Sequence, residues 1–120
     1  MSAAIQSDIR ARLRLSVPNQ FSSHAYDTGS SRVVVLDGDV DFEAVERFSR
    51  AIDTAAERAP ALVVLDSSEL TFIDSRGLGA VVDARNRLRE RSADLVIRGA
   101  SVMLTRLLGI TGLTALLEEE

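Results

Sequence analysis

The residues Leu70-Thr71-Phe72-Ile73-Asp74-Ser75-Arg76-Gly77-Leu78-Gly79 hold the densest chemistry in this 120-residue chain. A carboxylate, a hydroxyl and a guanidinium stand in consecutive positions just before two glycines. Ser75 is placed to cap a helix, its hydroxyl accepting from the amide of Gly77 or Leu78. The glycines leave the backbone bare, so another molecule can approach closely. One reading is purely structural, with Ser75 a cap and the glycines allowing close packing. A second takes Gly77-Leu78-Gly79 as part of a dinucleotide fingerprint, but the third glycine and the position before the helix are missing. A third is a nucleophile elbow, which needs glycine on both sides of the serine; Ile73 and Gly77 occupy those places. The fourth is a phosphorylation switch at a helix N-terminus, and it has the best physics. A phosphate adds about −1.5 to −2 charges. Free amides and the helix dipole can host it. A partner docking over it must desolvate the anion, at a cost of several kcal/mol. About 4 kcal/mol weakens binding roughly a thousandfold.

Other chemistries are excluded by what the chain lacks. It has no cysteine, which removes disulfides, thiolate nucleophiles and cysteine zinc sites. His24 is the only histidine, so multi-histidine metal sites and two-histidine mechanisms are out. No metal or cofactor is expected. No base and nucleophile pair can be assembled, so the chain is expected not to be an enzyme. Fourteen positive against eighteen negative residues give a net charge of −4, which disfavours direct nucleic-acid binding. Five aromatic residues are too few for base-stacking platforms. The longest apolar run, Ala61–Leu65, is far short of a membrane span. Residues 1–20 lack the apolar core of a secretory peptide. A cytoplasmic protein without membrane insertion is expected.

The elements that must position Ser75 follow from periodicity. Residues 1–20 carry Ile5, Ile9 and Leu13 at four-residue spacing, as on a helix. Yet Arg12-Leu13-Arg14-Leu15-Ser16-Val17 alternates as a strand does, before Pro18-Asn19. This segment reads as an extension, partly ordered at most. Phe21–Tyr26 and Arg32–Asp37 form a hairpin around the turn cluster Asp27–Ser31. Gly38-Asp39-Val40-Asp41 then breaks the strand. Phe42, Val45, Phe48, Ile52 and Ala55 mark the inner face of a helix with Asp41 as N-cap. Glu43–Arg47 and Glu46–Arg50 are favourable pairs along it. Ala61–Asp66 is a buried strand and Ser67–Ile73 a loop. A second helix runs from Ser75 to about Arg91, with Asp83–Arg87 and Arg87–Glu90 pairs. Asp94–Arg98 is a third buried strand. A third helix covers Ser101–Leu108 and is ended by Gly109 and Gly112. Leu113–Leu117 forms a last turn or edge strand.

The order is ββαβαβα, an α/β domain with a mixed sheet of four or five strands and about three helices. Asp39 and Asp41 follow a strand parallel to the one preceding Asp74, so they share the face that carries Ser75.

Three pieces of the chain resemble the STAS domain, and most closely the bacterial anti-sigma-factor antagonists. They are Gly38-Asp39-Val40-Asp41, Phe72-Ile73-Asp74-Ser75-Arg76-Gly77-Leu78-Gly79, and Leu107-Leu108-Gly109-Ile110-Thr111-Gly112-Leu113. The resemblance covers residues 21–117, leaving 1–20 as the extension and 118–120 as an acidic end. It implies a STAS-like fold and a partner-switching cycle. In that cycle the antagonist binds an anti-sigma factor, often a serine kinase, and so frees a sigma factor. The kinase phosphorylates the serine after the motif aspartate, and a PP2C-type phosphatase restores binding. Carried onto this chain, the phosphoacceptor is Ser75. Asp39, Asp41, Asp74, Ser75 and Arg76 form the partner surface, and Gly77 gives the partner clearance. Many members carry a second Ser or Thr where this chain has Arg76, which removes the alternative acceptor. Two other readings remain at this stage. One is a constitutive STAS scaffold subunit in a signalling or lipid-transport assembly, the other a nucleotide-binding STAS module. Self-association is not legible in the sequence.

Overall fold

The turn cluster folds the chain back at Gly29-Ser30, and the strands on either side pair antiparallel. These are β1 (Ser22–Thr28) and β2 (Ser31–Val40), with Ser22 opposite Asp37 and Thr28 opposite Ser31. The computed structural model describes residues 19–118. The expected extension therefore lies outside the described residues as far as residue 18. After β2 come α1 (Val45–Ala56), β3 (Leu62–Ile73), α2 (Ser75–Glu90), β4 (Asp94–Arg98) and α3 (Val102–Ile110). A 3-10 turn at Thr114–Leu116 follows. The sheet order is β1-β2-β3-β4, and β2, β3 and β4 run parallel. The architecture is thus the expected α/β order, with four strands and three helices among the described residues.

Both crossovers step the same way across the sheet, which places α1 and α2 on one face, where they pack together. The core forms beneath them. Val34, Leu36, Val63 and Leu65 of the central strands meet Phe48 and Ile52 of α1 and Val81 and Leu88 of α2. The Phe21 ring stands edge-on to Phe48, with centroids 5.9 Å apart. Burying side chains of this size stabilises the fold by roughly 1.5–3 kcal/mol each.

Several boundaries differ from the sequence reading, each because of tertiary pairing. Ser67–Ile73 continues β3 instead of forming a loop. Its partners are Asp37–Val40 of β2, the segment expected to break that strand; Gly38 lies opposite Leu70 and Val40 opposite Ile73. Ladder hydrogen bonds with a neighbour outweigh the weak strand propensity of Asp, Gly and Ser. The register shifts on both sides of Gly38, whose φ is +90°. A β-carbon there would lie 2.3 Å from the Gln20 carbonyl oxygen, so only glycine lets that backbone pass. Helix α3 passes through Gly109 to Ile110 and ends before Gly112, whose φ is +74°. Leu113–Leu117 supplies both a turn and a single parallel bridge from Leu117 to Ile97.

The expected pairs within helices do not form among the described residues. Arg87 reaches from α2 to Asp53 of α1 at 2.8 Å, and Arg85 reaches Asp94 at 2.9 Å. Arg47 donates to the Phe21 carbonyl at 3.2 Å. Long side chains on packed helices meet partners across the interface, which local spacing does not reveal.

Candidate functional site

Strands β2 and β3 end side by side, so the chain leaves the sheet at two adjacent points. Asp39 lies opposite Phe72 and Val40 opposite Ile73, and the Asp74 amide donates to the Val40 carbonyl at 3.4 Å. Asp41 and Asp74 are therefore the first residues past neighbouring strand ends. This is the crevice position at the carboxyl ends of parallel strands, where α/β proteins commonly place their sites. The structure brings Asp39, Asp41, Asp74, Ser75 and Arg76 to this end of the sheet.

The helix start differs from the expectation in an instructive way. The N-cap of α2 is Asp74, not Ser75. One oxygen of the Asp74 carboxylate accepts from the amides of Arg76 at 3.0 Å and Gly77 at 3.1 Å. Asp74 has extended backbone, as a cap requires, whereas Ser75 is already the first helical residue. The physical reason is register. Pairing with β2 holds the chain extended through Ile73 and fixes where it turns. Ser75 is exposed, and its hydroxyl is not used in the cap. The amides expected to host a phosphate are already occupied by a carboxylate.

Asp41 also behaves as a cap, though of a turn that precedes the helix. Its carboxylate accepts from the Ala44 amide at 3.0 Å, and α1 proper starts at Val45. Phe42 consequently sits in the turn, not on the inner helical face. It is 63 % exposed, against the expectation that it joins the core. Its ring carries the Arg76 guanidinium, 4.2 Å from the centroid. The Asp39 carboxylate accepts from the Thr71 hydroxyl, which in turn accepts from the Asn19 side-chain amide at 3.5 Å.

Gly77 does not provide clearance for a partner. It is buried, and a β-carbon there would lie 2.6 Å from Ile73 Cγ1 and 3.1 Å from Val40 Cγ1. Its lack of a side chain seats α2 against the two strand ends. Of the two glycines in α2, Gly79 is the one with open space beside it. Sequence reasoning also missed an apolar groove of about 700 Å³ between the end of β3 and α3. Phe72, Val102, Met103 and Ile110 line it while 50–80 % exposed. The Val102-Met103 and Ile110 positions on a short helix were the available signal.

The arrangement offers recognition and a modifiable hydroxyl. Among the described residues no three His, Asp or Glu side chains converge as metal ligands. His24 lies on β1, opposite Val35 and two strands from the start of α2, so it is not a base for Ser75. No described helix is long and apolar enough to cross a membrane.

This fold is that of a STAS domain. Residues 24–118 match the family model described as "Mlab, STAS domain", and the chain belongs to the STAS family. The anti-sigma-B factor antagonist of Listeria monocytogenes serovar 1/2a is 32 % identical over 85 residues, covering 71 % of this chain and 75 % of that protein. The crystal structure of an anti-sigma factor antagonist from Mycobacterium paratuberculosis superposes with a TM-score of 0.75 at 22 % identity, over 85 % of this chain and 86 % of that one. The unphosphorylated form of the anti-sigma factor antagonist SpoIIAA superposes with a TM-score of 0.71 at 22 % identity, over 82 % and 88 %. The two structures establish the shared fold, and the Listeria protein establishes homology to the antagonists.

Proposed function

We propose that this chain is an anti-sigma-factor antagonist. It binds an anti-sigma factor of the serine-kinase type, releases the sigma factor that partner holds, and is switched off by phosphorylation of Ser75. The observation that carries this reading is the exposed Ser75 directly after a capping carboxylate, at the start of α2. Homology to a protein named as an anti-sigma-B factor antagonist supports it.

The chemistry needs nothing catalytic from this chain. Ser75 Oγ attacks the γ-phosphorus of ATP held by the kinase, gives up its proton, and ADP leaves. A PP2C-type phosphatase hydrolyses the ester, returning the hydroxyl and inorganic phosphate. The capping geometry strengthens the switch. Asp74 already fills the Arg76 and Gly77 amides, so the phosphate gains no shelter there. It stays solvated on a face that also holds Asp39, Asp41 and Asp74, with Arg76 as the nearby cation. A partner covering that face must desolvate the anion, at several kcal/mol. The contact surface is Asp39, Asp41, Asp74, Ser75 and Arg76, with Phe42 and the neighbouring groove adding apolar area. Gly77 acts from beneath by seating the helix.

Parallel pull-downs from host lysate with the wild-type chain and Ser75→Glu test this reading, followed by titration of the purified partner with authentically phosphorylated protein. A small kinase with an ATP-binding fold, held by wild type and lost by the variant, is expected. Equal affinity of the phosphorylated and unmodified chains sinks the switch.

The second reading is a constitutive STAS subunit of a larger assembly, since membership of the STAS family does not by itself require a switch. Identical partners on both baits, with no phosphate on Ser75 across growth conditions, select it.

A further inference from the structure

The two edges of the sheet are finished differently. Beyond β4, Leu117 bridges to Ile97 and the Glu118 amide donates to the Ile97 carbonyl at 2.9 Å, so that edge is partly covered. Beyond β1 no described strand pairs, and all seven residues of Ser22–Thr28 are exposed. An open edge presents alternate amides and carbonyls that another chain can take up. Proteins usually blunt such an edge with a bulge, a proline or a lysine. β1 keeps an unbroken register against β2 and contains no proline, lysine or arginine.

The helix beside this edge gives it a charge. Ser23 and Ala25 lie opposite Leu36 and Val34, so they face α1. Both are small, and a notch of about 290 Å³ remains between β1 and α1. Arg32, Arg47 and Arg50 line it, and no acidic residue does among the described residues. Arg47 and Arg50 are about one helical turn apart. Arg47 is oriented by the Phe21 carbonyl at 3.2 Å and by the Phe21 ring, 5.8 Å from its centroid. Arg32 gives one nitrogen to Asp27 at 2.8 Å, while its Nε has no acceptor among the described residues. Arg50 makes no ion pair among those residues.

We propose that the open edge of β1 binds an extended acidic segment of a partner protein, which adds as a further strand and sets its carboxylates over Arg47 and Arg50. Backbone pairing supplies affinity, and the arginines select the side chains through charge-assisted hydrogen bonds. The pairing groups on the edge call for a polypeptide and not a nucleic acid, and the net charge of −4 agrees. A second copy fits the edge poorly. Pairing antiparallel through its own β1, it would bring its own Arg47 and Arg50 to the same face, where like charges repel. The site does not depend on the partner-switching reading, since β1 lies two strands from β3, the strand that leads into α2.

The test uses the full-length chain and a synthetic peptide in which glutamate alternates with threonine. Adding the peptide is expected to shift the amide signals of Ser22–Thr28 and to slow solvent exchange at alternate ones, while Ser75 and Arg76 stay unchanged. Arg50→Glu changes an exposed position of α1 and is expected to weaken binding about tenfold or more. N-methylating the peptide backbone removes its donors to the edge and is expected to abolish binding. No shift at millimolar peptide overturns the proposal. So does unchanged affinity in Arg50→Glu, or equal binding of a peptide with lysine in place of glutamate. A dimer whose β1 amides are already protected before peptide is added overturns it by giving the edge to a second copy. Tighter binding of single-stranded DNA than of the peptide also overturns it, by giving the arginines to a nucleic acid.

Discussion

The guanidinium of Arg76 lies over the ring of Phe42, 4.2 Å from its centroid, joining the first turn of α2 to the turn before α1. An exposed cation–π contact is worth about 0.5–1 kcal/mol. Phe42→Ala should therefore cost no more than about 1 kcal/mol of stability in urea unfolding. On the antagonist reading it should weaken partner binding by about tenfold or more, since exposed aromatic and arginine side chains are typical interface anchors. Isothermal titration of the variant against the purified partner reads this directly, and unchanged affinity excludes Phe42 from the interface.

Asp74 and Ser75 are neighbours with separable roles. Asp74→Ala removes two capping hydrogen bonds and should cost roughly 0.5–2 kcal/mol. Ser75→Ala removes an exposed hydroxyl outside the cap and should stay within about 0.5 kcal/mol of wild type. Urea midpoints of the two variants distinguish this from the reverse order, which a serine cap would produce.

The two glycines of α2 should respond oppositely to alanine. At Gly77 the new methyl meets Ile73 at 2.6 Å, in a packed junction with Val40. Overpacking costs about 1–3 kcal/mol, more than the roughly 0.8–1 kcal/mol that alanine gains over glycine in a helix. Gly77→Ala should lower stability. At Gly79 nothing lies within 4 Å. Gly79→Ala should raise stability by up to about 1 kcal/mol. Thermal unfolding of both variants checks the pair.

Acid should loosen the β4 edge. Burial pushes the Asp94 carboxyl up, but hydrogen bonds from Arg85 and the Leu95 amide, with the charges of Arg85 and Arg89, hold it below its ordinary value. The Arg98 hydrogen bonds hold Glu118 below its own, against a smaller effect of burial. Both carboxyls titrate lower in the folded chain than in the unfolded one. Their stabilisation is present above the unfolded value, about 4, and is lost as pH falls through the folded value. Both are partly exposed, so the loss is modest. Stability measured in urea from neutral pH downward should fall, and Arg85→Met should flatten part of that slope. An unchanged slope in Arg85→Met removes the Asp94 pair as its source.

The sequence by itself determined the order of elements, the turn at Gly29, the apolar strands and the face that carries Ser75. Those features depend on local signals: β-branched runs, helical periodicity, and glycine or proline punctuation. The three motif segments carried the family for the same reason, since their residues are contiguous. Only the tertiary structure decided that β3 runs on through polar Ser67-Ser68-Glu69, because Glu69, Leu70, Phe72 and Ile73 pair with residues some thirty positions earlier in β2. That pairing in turn held Ile73 extended, moved the helix cap from Ser75 to Asp74, and buried Gly77 against Ile73 and Val40. Phe42 shows the same limit. Its spacing fits a helical face, but the helix begins three residues later, at Val45. Spacing along a chain reports which side chains share a face. Where each element starts, and which side chain meets which across the gap, is set by contacts between segments far apart in sequence.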